Sequence, residues 1–305
     1  MPDFEEITIA LGDGYRAYGR YWKAVEARGA VLYHHGIQSH CGWYESSARA
    51  LCDAGYAVLQ HDRRGSGRNL KGRGHAESGE QLIQDAVMAG DELRRRSGFE
   101  QYHVVGVSWG GKLAVAAHVA HPERVAGLTL VTPGMFPLVG VSKPEMARIG
   151  FAMLYEPTKL FDIPLNDPDL FTNVSRWREF FRTDELTLRQ CTAGFYLASR
   201  RMDRIVGRLA DASPVPIHLF LAGEERIIDN DRTEKFIRQL DWPRGRVTKY
   251  ATARHCLEFD VPDEYFRELV SFIDGGAPGI DPDATLAADG APGTSSDATS
   301  DGFPK

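Results

Sequence analysis

One serine in this chain has the surroundings of a nucleophile. Ser108 lies in Gly106-Val107-Ser108-Trp109-Gly110-Gly111, after an apolar run, Tyr102-His103-Val104-Val105, that reads as a buried strand. Lys112-Leu113-Ala114-Val115-Ala116-Ala117 follows and reads as a helix. A Gly-x-Ser-x-Gly between a strand and a helix is a nucleophile elbow. The strained turn lifts the hydroxyl clear of the backbone, and the flanking glycines leave room for the neighbouring strand and helix.

A serine hydroxyl alone is a poor nucleophile. It needs a base, a group that orients the base, and donors for the oxyanion. Where such an elbow is used, the chain order is serine, acid, histidine. His118, His121, His218 and His255 follow Ser108. The first two belong to the helix after the elbow or to its end, and His218 lies inside a strand. His255 sits in the loop between the last strand and the last helix, so it is the expected base. Three carboxylates follow the strand near Ile217–Leu221: Glu225 is the first choice for the acid, Asp229 the second and Glu224 the third. The remaining two read as solvated or helix-capping groups. The oxyanion donors are expected to be the backbone N–H of Trp109 and that of Ile37, in the loop His34-His35-Gly36-Ile37-Gln38-Ser39-His40. His35 is expected to fix that loop by hydrogen bonding.

These side chains need a scaffold. Thr8–Leu11 and Tyr15–Lys23 read as a hairpin, Ala30–His34 and Tyr56–Gln60 as strands, and Trp43–Asp53 and Glu80–Arg96 as helices. Arg94-Arg95-Arg96 suits a helix C-terminus. Val125–Val131 is a further strand. The rhythm stops at Thr132-Pro133-Gly134, and from about 137 to 212 the chain reads as helical or irregular, with no strand signal. It resumes with strands at Val215–Leu221 and Arg246–Tyr250 and helices at Asp231–Leu240 and Pro262–Ile273, with Asp231 and Glu234 as the expected capping pair. Alternating strands and helices predict an α/β fold: a mostly parallel central sheet with helices on both faces. The expected organisation is a core over 1–136 and 213–274, a helical cap over 137–212, and a disordered acidic tail over 275–305.

Composition narrows the function. The chain has 305 residues and a net charge of −6, of which the stretch from 275 to 305 carries −4. Nothing in that balance suggests a nucleic-acid binder. No apolar run approaches a membrane span, and the acidic N-terminus has no secretory signal pattern. Cys41, Cys52, Cys191 and Cys256 form no Cys-x-x-Cys pair and read as reduced thiols, which points to the cytoplasm. His34, His35 and His40 lack the carboxylates or thiols that would complete a metal site. Phosphate-loop and dinucleotide fingerprints are absent from the sequence, so no cofactor is expected.

The chain resembles the α/β-hydrolase superfamily, and within it the monoacylglycerol lipase, lysophospholipase and serine-aminopeptidase-like group, over roughly Ala30–Ile273. His35-Gly36-Ile37-Gln38-Ser39-His40-Cys41-Gly42-Trp43-Tyr44 is similar to that group's His-Gly-x-x-x-His-x-x-x-Tyr, and His61-Asp62-Arg63-Arg64-Gly65-Ser66-Gly67 contains its Asp-x-Arg-Gly-x-Gly. Arg73-Gly74-His75 matches its Arg-Gly-His. Gly223-Glu224-Glu225-Arg226-Ile227-Ile228-Asp229 is similar to its Gly-x-Asp-x-Ile-Val-Asp, which places the acid at Glu225. His255 falls on the group's histidine. Glu225 replaces the usual Asp, Val107 and Trp109 replace a frequent His and Met, and Ser39 replaces a frequent Glu. The resemblance implies a serine hydrolase of a small acyl ester. An aminopeptidase on the same fold is the alternative, and a non-catalytic or acyl-transfer protein a third reading. Aromatic residues of the cap, among them Phe171, Phe181 and Phe195, are expected mostly to pack the cap itself, with some lining an acyl pocket.

Overall fold

A computed structural model of the chain describes residues 3–240, 242 and 244–275. The expected disordered tail therefore lies outside the described residues, apart from Gly275. In chain order the core begins with β1 (Glu5–Ala10), β2 (Arg16–Trp22), β3 (Gly29–His34), α1 (Glu45–Asp53), β4 (Tyr56–His61), α2 (Gly79–Ser97), β5 (Tyr102–Val107), α3 (Trp109–Ala120) and β6 (Val125–Val131). An insertion follows, with α4 (Lys143–Tyr155), β7 (Leu160–Asp162), α5 (Ser175–Thr183), β8 (Gln190–Thr192) and α6 (Ala193–Val206). The core then resumes with β9 (Ile217–Ala222), α7 (Asn230–Arg238), β10 (Arg246–Tyr250), α8 (Leu257–Asp260) and α9 (Pro262–Ile273).

The main sheet has eight strands in the order β1-β2-β4-β3-β5-β6-β9-β10. The β1–β2 hairpin and the β2–β4 pair are antiparallel, and every pair from β4 to β10 is parallel. Strands β4, β5 and β9 are buried along their whole length, as apolar runs sandwiched between helical layers must be. Helices α2 and α3 pack on each other, as do α1 and α9. Helix α2 starts at Ser78, whose side chain accepts the Gln81 N–H, and stops at Gly98 in the left-handed region, with Arg94, Arg95 and Arg96 at its negative end. The C-terminal ends of the parallel strands point their loops to one edge, where open α/β sheets place their sites.

Two local expectations need correction. The insertion does contain strands: β7 and β8 pair antiparallel, Leu160 opposite Thr192. Three residues per strand, with only Phe161 buried in β7, are too few for an alternation to be read. Helix α7 is capped by Asp229, whose Oδ1 accepts the Arg232 N–H at 3.0 Å, not by the pair Asp231 and Glu234. Asp231 lies inside the first turn, and Glu234 instead accepts from Arg238 Nε at 2.8 Å.

A buried ion pair ties the loop after β4 to α2. Arg64 Nε and Nη2 each donate to Asp85 at 2.8 Å, and both side chains are under 10% exposed. Replacing Arg64 by Met strands a carboxylate in the interior, which costs about 3–5 kcal/mol. Urea denaturation of Arg64→Met should show a loss of that size. A loss under about 1 kcal/mol would mean that Asp85 merely takes up a proton.

Candidate active site

Ser108 stands between the last residue of β5 and the first of α3, with φ 53° and ψ −123°. A side-chain-bearing residue is held there only when its neighbours over-determine it. The Ser108 N–H donates to the Val131 carbonyl at 2.9 Å, and the Ser108 carbonyl accepts the N–H groups of Gly111 at 2.9 Å and Gly134 at 2.7 Å. A Cβ at Gly110 would run into the carbonyls of His34 and His35. A Cβ at Gly36 would stand 3.3 Å from Ser108 Cβ, so the loop after β3 lies directly against the serine.

Three side chains from three loops meet at this turn. The Ser108 hydroxyl is 2.8 Å from His255 Nε2, and His255 Nδ1 is 2.8 Å from Glu225 Oε2. The side chains of His255 and Glu225 are both only 2% exposed. The other carboxylate oxygen of Glu225 accepts the N–H groups of Arg226 at 2.9 Å and Ile227 at 2.8 Å. Burial works to raise the Glu225 pKa, but His255 and these donors outweigh it and hold the carboxyl below its ordinary value. An ionised Glu225 fixes His255 with its proton on Nδ1, leaving Nε2 free to accept from the serine.

The two other carboxylates on this loop are occupied elsewhere. Asp229 caps α7, and Glu224 reaches Asn173 at 3.3 Å and Arg254 at 3.6 Å. His118 is bonded to the Ser213 carbonyl and His218 to Thr248, far in partnership from the serine. A residue that the sequence did not single out supports the histidine: Thr132 Oγ1 donates to the His255 carbonyl at 2.9 Å, from a backbone at φ 40°. Its only sequence signal was the break Thr132-Pro133-Gly134.

The loop after β3 is tightly bonded. His35 Nδ1 donates to the Gly36 carbonyl at 2.7 Å and its Nε2 accepts the Arg63 N–H at 2.9 Å, so His35 braces the loop. Ile37 is half-buried beside it, and Trp109 opens α3 with its indole turned to the insertion, Nε1 donating to Ser199 Oγ at 2.9 Å. His40, Cys41 and Asp62 bring ligand-type atoms within 4.8 Å of one another. Two of the three are already engaged: His40 accepts the Gly42 N–H and donates to Asp184, and Asp62 accepts the backbone N–H groups of Cys41 and Arg68.

Comparison with known proteins adds to this geometry. A family model described as serine aminopeptidase, S33, matches residues 25–262. The monoglyceride lipase of Homo sapiens is 23% identical over 265 residues, covering 84% of each chain. A proline iminopeptidase of Xylella fastidiosa is 29% identical over 130 residues, 43% of this chain and 40% of its own. Among solved structures, the monoacylglycerol lipase of Paleococcus ferrophilus superposes with a TM-score of 0.77 at 19% identity, over 86% of this chain and 99% of its own. At that identity the likeness establishes the α/β-hydrolase fold. No helix among the described residues is long and apolar enough to cross a membrane.

The turn that follows His255 carries a second buried carboxyl. Glu258 Oε1 accepts the Ser47 N–H at 2.9 Å, joining α8 to the start of α1, and burial pushes its pKa up to about 8. Below about 4.5, the ordinary glutamate value, both folded and unfolded forms are protonated. As the pH rises from there towards 8, only the unfolded chain gives up the proton, so stability is lost across that window. Glu258→Gln keeps the acceptor and removes the titration. Its stability relative to the parent should rise by roughly 2–4 kcal/mol between pH 4.5 and 8 in urea denaturation. An equal difference at both pH values would show that Glu258 titrates normally.

Proposed function

The chain belongs to the serine aminopeptidase S33 family of α/β-hydrolases, and on that premise we propose that it cleaves small carboxylic esters through an acyl-enzyme. The observation that carries the reading is the unbroken relay from Ser108 Oγ to His255 Nε2 and from His255 Nδ1 to Glu225, set on a strained elbow. In this reading Ser108 Oγ bonds to the ester carbonyl carbon as its proton passes to His255 Nε2. The N–H groups of Ile37 and Trp109 receive the oxyanion. The carbon–oxygen bond to the alcohol then breaks, and His255 delivers the proton to the departing oxygen. Water repeats the sequence on the acyl-serine and frees the acid. Glu225 holds the imidazole tautomer and stabilises the imidazolium without itself taking the proton. Residues 137–212 act as a cap over the core formed by 1–136 and 213–274.

Ester cleavage is preferred to removal of an N-terminal residue on two grounds. An aminopeptidase needs a free carboxylate for the substrate amine. Of the eight carboxylates of the insertion that the alternative would call on, seven are engaged among the described residues: Glu145 with Arg148, Glu156 with Lys159, Asp169 with Arg178, Glu179 with Arg182, Asp184 with His40 and Trp43, Asp162 with Gln190, and Asp167 with the Asp169 N–H, which leaves the exposed Glu185. The similarity to a monoglyceride lipase also runs along most of the chain, while that to an iminopeptidase covers less than half. The family's own description keeps the peptidase as the second reading.

A fluorophosphonate probe should label Ser108 and leave Ser108→Ala unlabelled; intact-mass analysis showing a folded but unlabelled parent would remove the serine-hydrolase reading. On a panel of graded acyl esters and aminoacyl amides, kcat/KM should be higher for the esters, and the reverse ranking would transfer the assignment to the peptidase. Glu225→Gln should lower kcat by about 10²–10⁴ while Asp229→Asn changes it little, because only the first removes the imidazolium's counter-charge. A near-silent Glu225→Gln beside a crippled Asp229→Asn would reverse the choice of acid.

A further inference from the structure

Arg63 is 3% exposed, yet among the described residues no carboxylate pairs with it. Burial lowers its pKa to about 10, which leaves it cationic at neutral pH. A buried charge without an ion-pair partner is costly unless other contacts offset it, and the neighbouring Asp62 carboxylate, spent on the N–H groups of Cys41 and Arg68, acts on Arg63 only through space. The direct contacts of the guanidinium are of two kinds. Nη1 donates to the Gly36 carbonyl at 3.3 Å and Nη2 to the Ile37 carbonyl at 3.0 Å. The guanidinium lies 4.6 Å from the centre of the Trp109 ring and 5.2 Å from that of Phe195, within reach of cation–π contact with both.

The Gly36 carbonyl belongs to the same peptide unit as the Ile37 N–H. A trans peptide carries these two groups on opposite sides. A donor that fixes the oxygen therefore aims the N–H the other way. Two donors fix this oxygen, Arg63 Nη1 and His35 Nδ1, the latter at 2.7 Å. A cation on the carbonyl also draws charge along the amide and makes its N–H a stronger donor. The same guanidinium touches the indole of Trp109, and the backbone N–H of that residue is the other proposed oxyanion donor.

Resting on the serine-hydrolase reading above, we propose that Arg63 is the positioning residue of the oxyanion hole: it orients and polarises the Gly36–Ile37 peptide and places a fixed positive charge behind the point where negative charge develops. It touches neither the substrate nor the reacting serine. Arg63 is also distinct from the arginine of the Asp-x-Arg-Gly-x-Gly segment. That position is Arg64, which is spent on Asp85 and Asp13, while Arg63 fills the segment's unspecified place.

The test compares the full-length parent with Arg63→Gln and Arg63→Lys, each shown to be folded by circular dichroism and melting. The readouts are the second-order rate of Ser108 phosphonylation by a fluorophosphonate, kcat and KM on a short-chain nitrophenyl ester, and the inhibition constant of a trifluoromethyl ketone, whose adduct carries the oxyanion. Arg63→Gln should lower the phosphonylation rate and kcat by about 10–10², less than loss of a direct oxyanion donor. It should weaken the ketone by a similar factor and move KM less than about threefold. Arg63→Lys, which keeps the charge, should recover part of each loss. If Arg63→Gln does not fold, Arg63→Met, which fills the same space against the two rings, carries the same expectation. A folded variant labelled as fast as the parent would overturn the proposal. So would a slowed one whose ketone affinity is unchanged, or a lysine variant no better than glutamine. A parent that is not labelled at Ser108 at all would instead sink the serine-hydrolase reading.

Discussion

Ser108 holds a backbone conformation that costs of order 1–3 kcal/mol for a residue with a side chain, at φ 53°. Its stability is borrowed from the parallel sheet. Strand β5 is flanked by β3 and β6, and the carbonyl at the end of β6 takes the serine's N–H. Gly111 and Gly134 take the serine's carbonyl from either side. Without that frame the turn would relax and the hydroxyl would fall back towards the backbone. The same frame sets the other partners. Thr132, one residue past β6 and itself at φ 40°, reaches the carbonyl of His255, and Glu225 is held by the N–H groups of the loop after β9. The three side chains therefore converge because their strands end side by side at one edge of the sheet.

The insertion is fastened to this edge by polar contacts as well as apolar ones. Asp184 accepts from His40 at 3.0 Å and from the Trp43 indole at 2.7 Å, and also from its own chain at Leu186 and Thr187. Burial would raise its carboxyl, but these donors hold it well below the ordinary range. Two positions before His40, the Gln38 carbonyl accepts the Leu188 N–H at 2.8 Å. On the other side Lys112 of α3 meets Asp203 of α6 at 2.6 Å. The insertion thus grips both the loop after β3 and the helix that carries the elbow.

Much of this was legible in the sequence, and the reasons differ by element. Buried parallel strands are continuous apolar runs, so β3 to β6 and β9 could be placed from the sequence, whereas β10, with Arg246, Thr248 and Lys249, is at most half-buried, and the elbow glycines announce a turn that little else tolerates. Ser108 and His255 stand 147 positions apart, but each follows a strand, and the chain order of the elbow fold brings them to one edge. What escaped was of two kinds. The strands β7 and β8 are too short to show a period. For α7, Asp229 and Asp231 both read as capping groups, and only the helix start at Asn230 decides for Asp229. Arg63, Thr132 and Asp184 escaped for a deeper reason. Their partners are backbone carbonyls or side chains that are remote in sequence, and an arginine or a threonine carries no local mark of such a contact.

The seam between insertion and core also has optical consequences. Of the chain's five tryptophans, Trp43, Trp109 and Trp177 sit on this boundary, Trp177 of α5 lying 4.6 Å from Phe259 of α8. Trp43 stacks on Phe181 of α5 at 4.2 Å, with its indole N–H on Asp184, and Trp109 donates to Ser199 of α6. Trp22 lies in the interior, bonded to Gln60, and belongs to neither side of the seam. Any movement of the insertion away from the core would change the surroundings of these three indoles, and leave Trp22 and Trp242, which packs on His118, as internal references. The seating of the insertion is therefore coupled to the protein's own ultraviolet emission, with no attached dye.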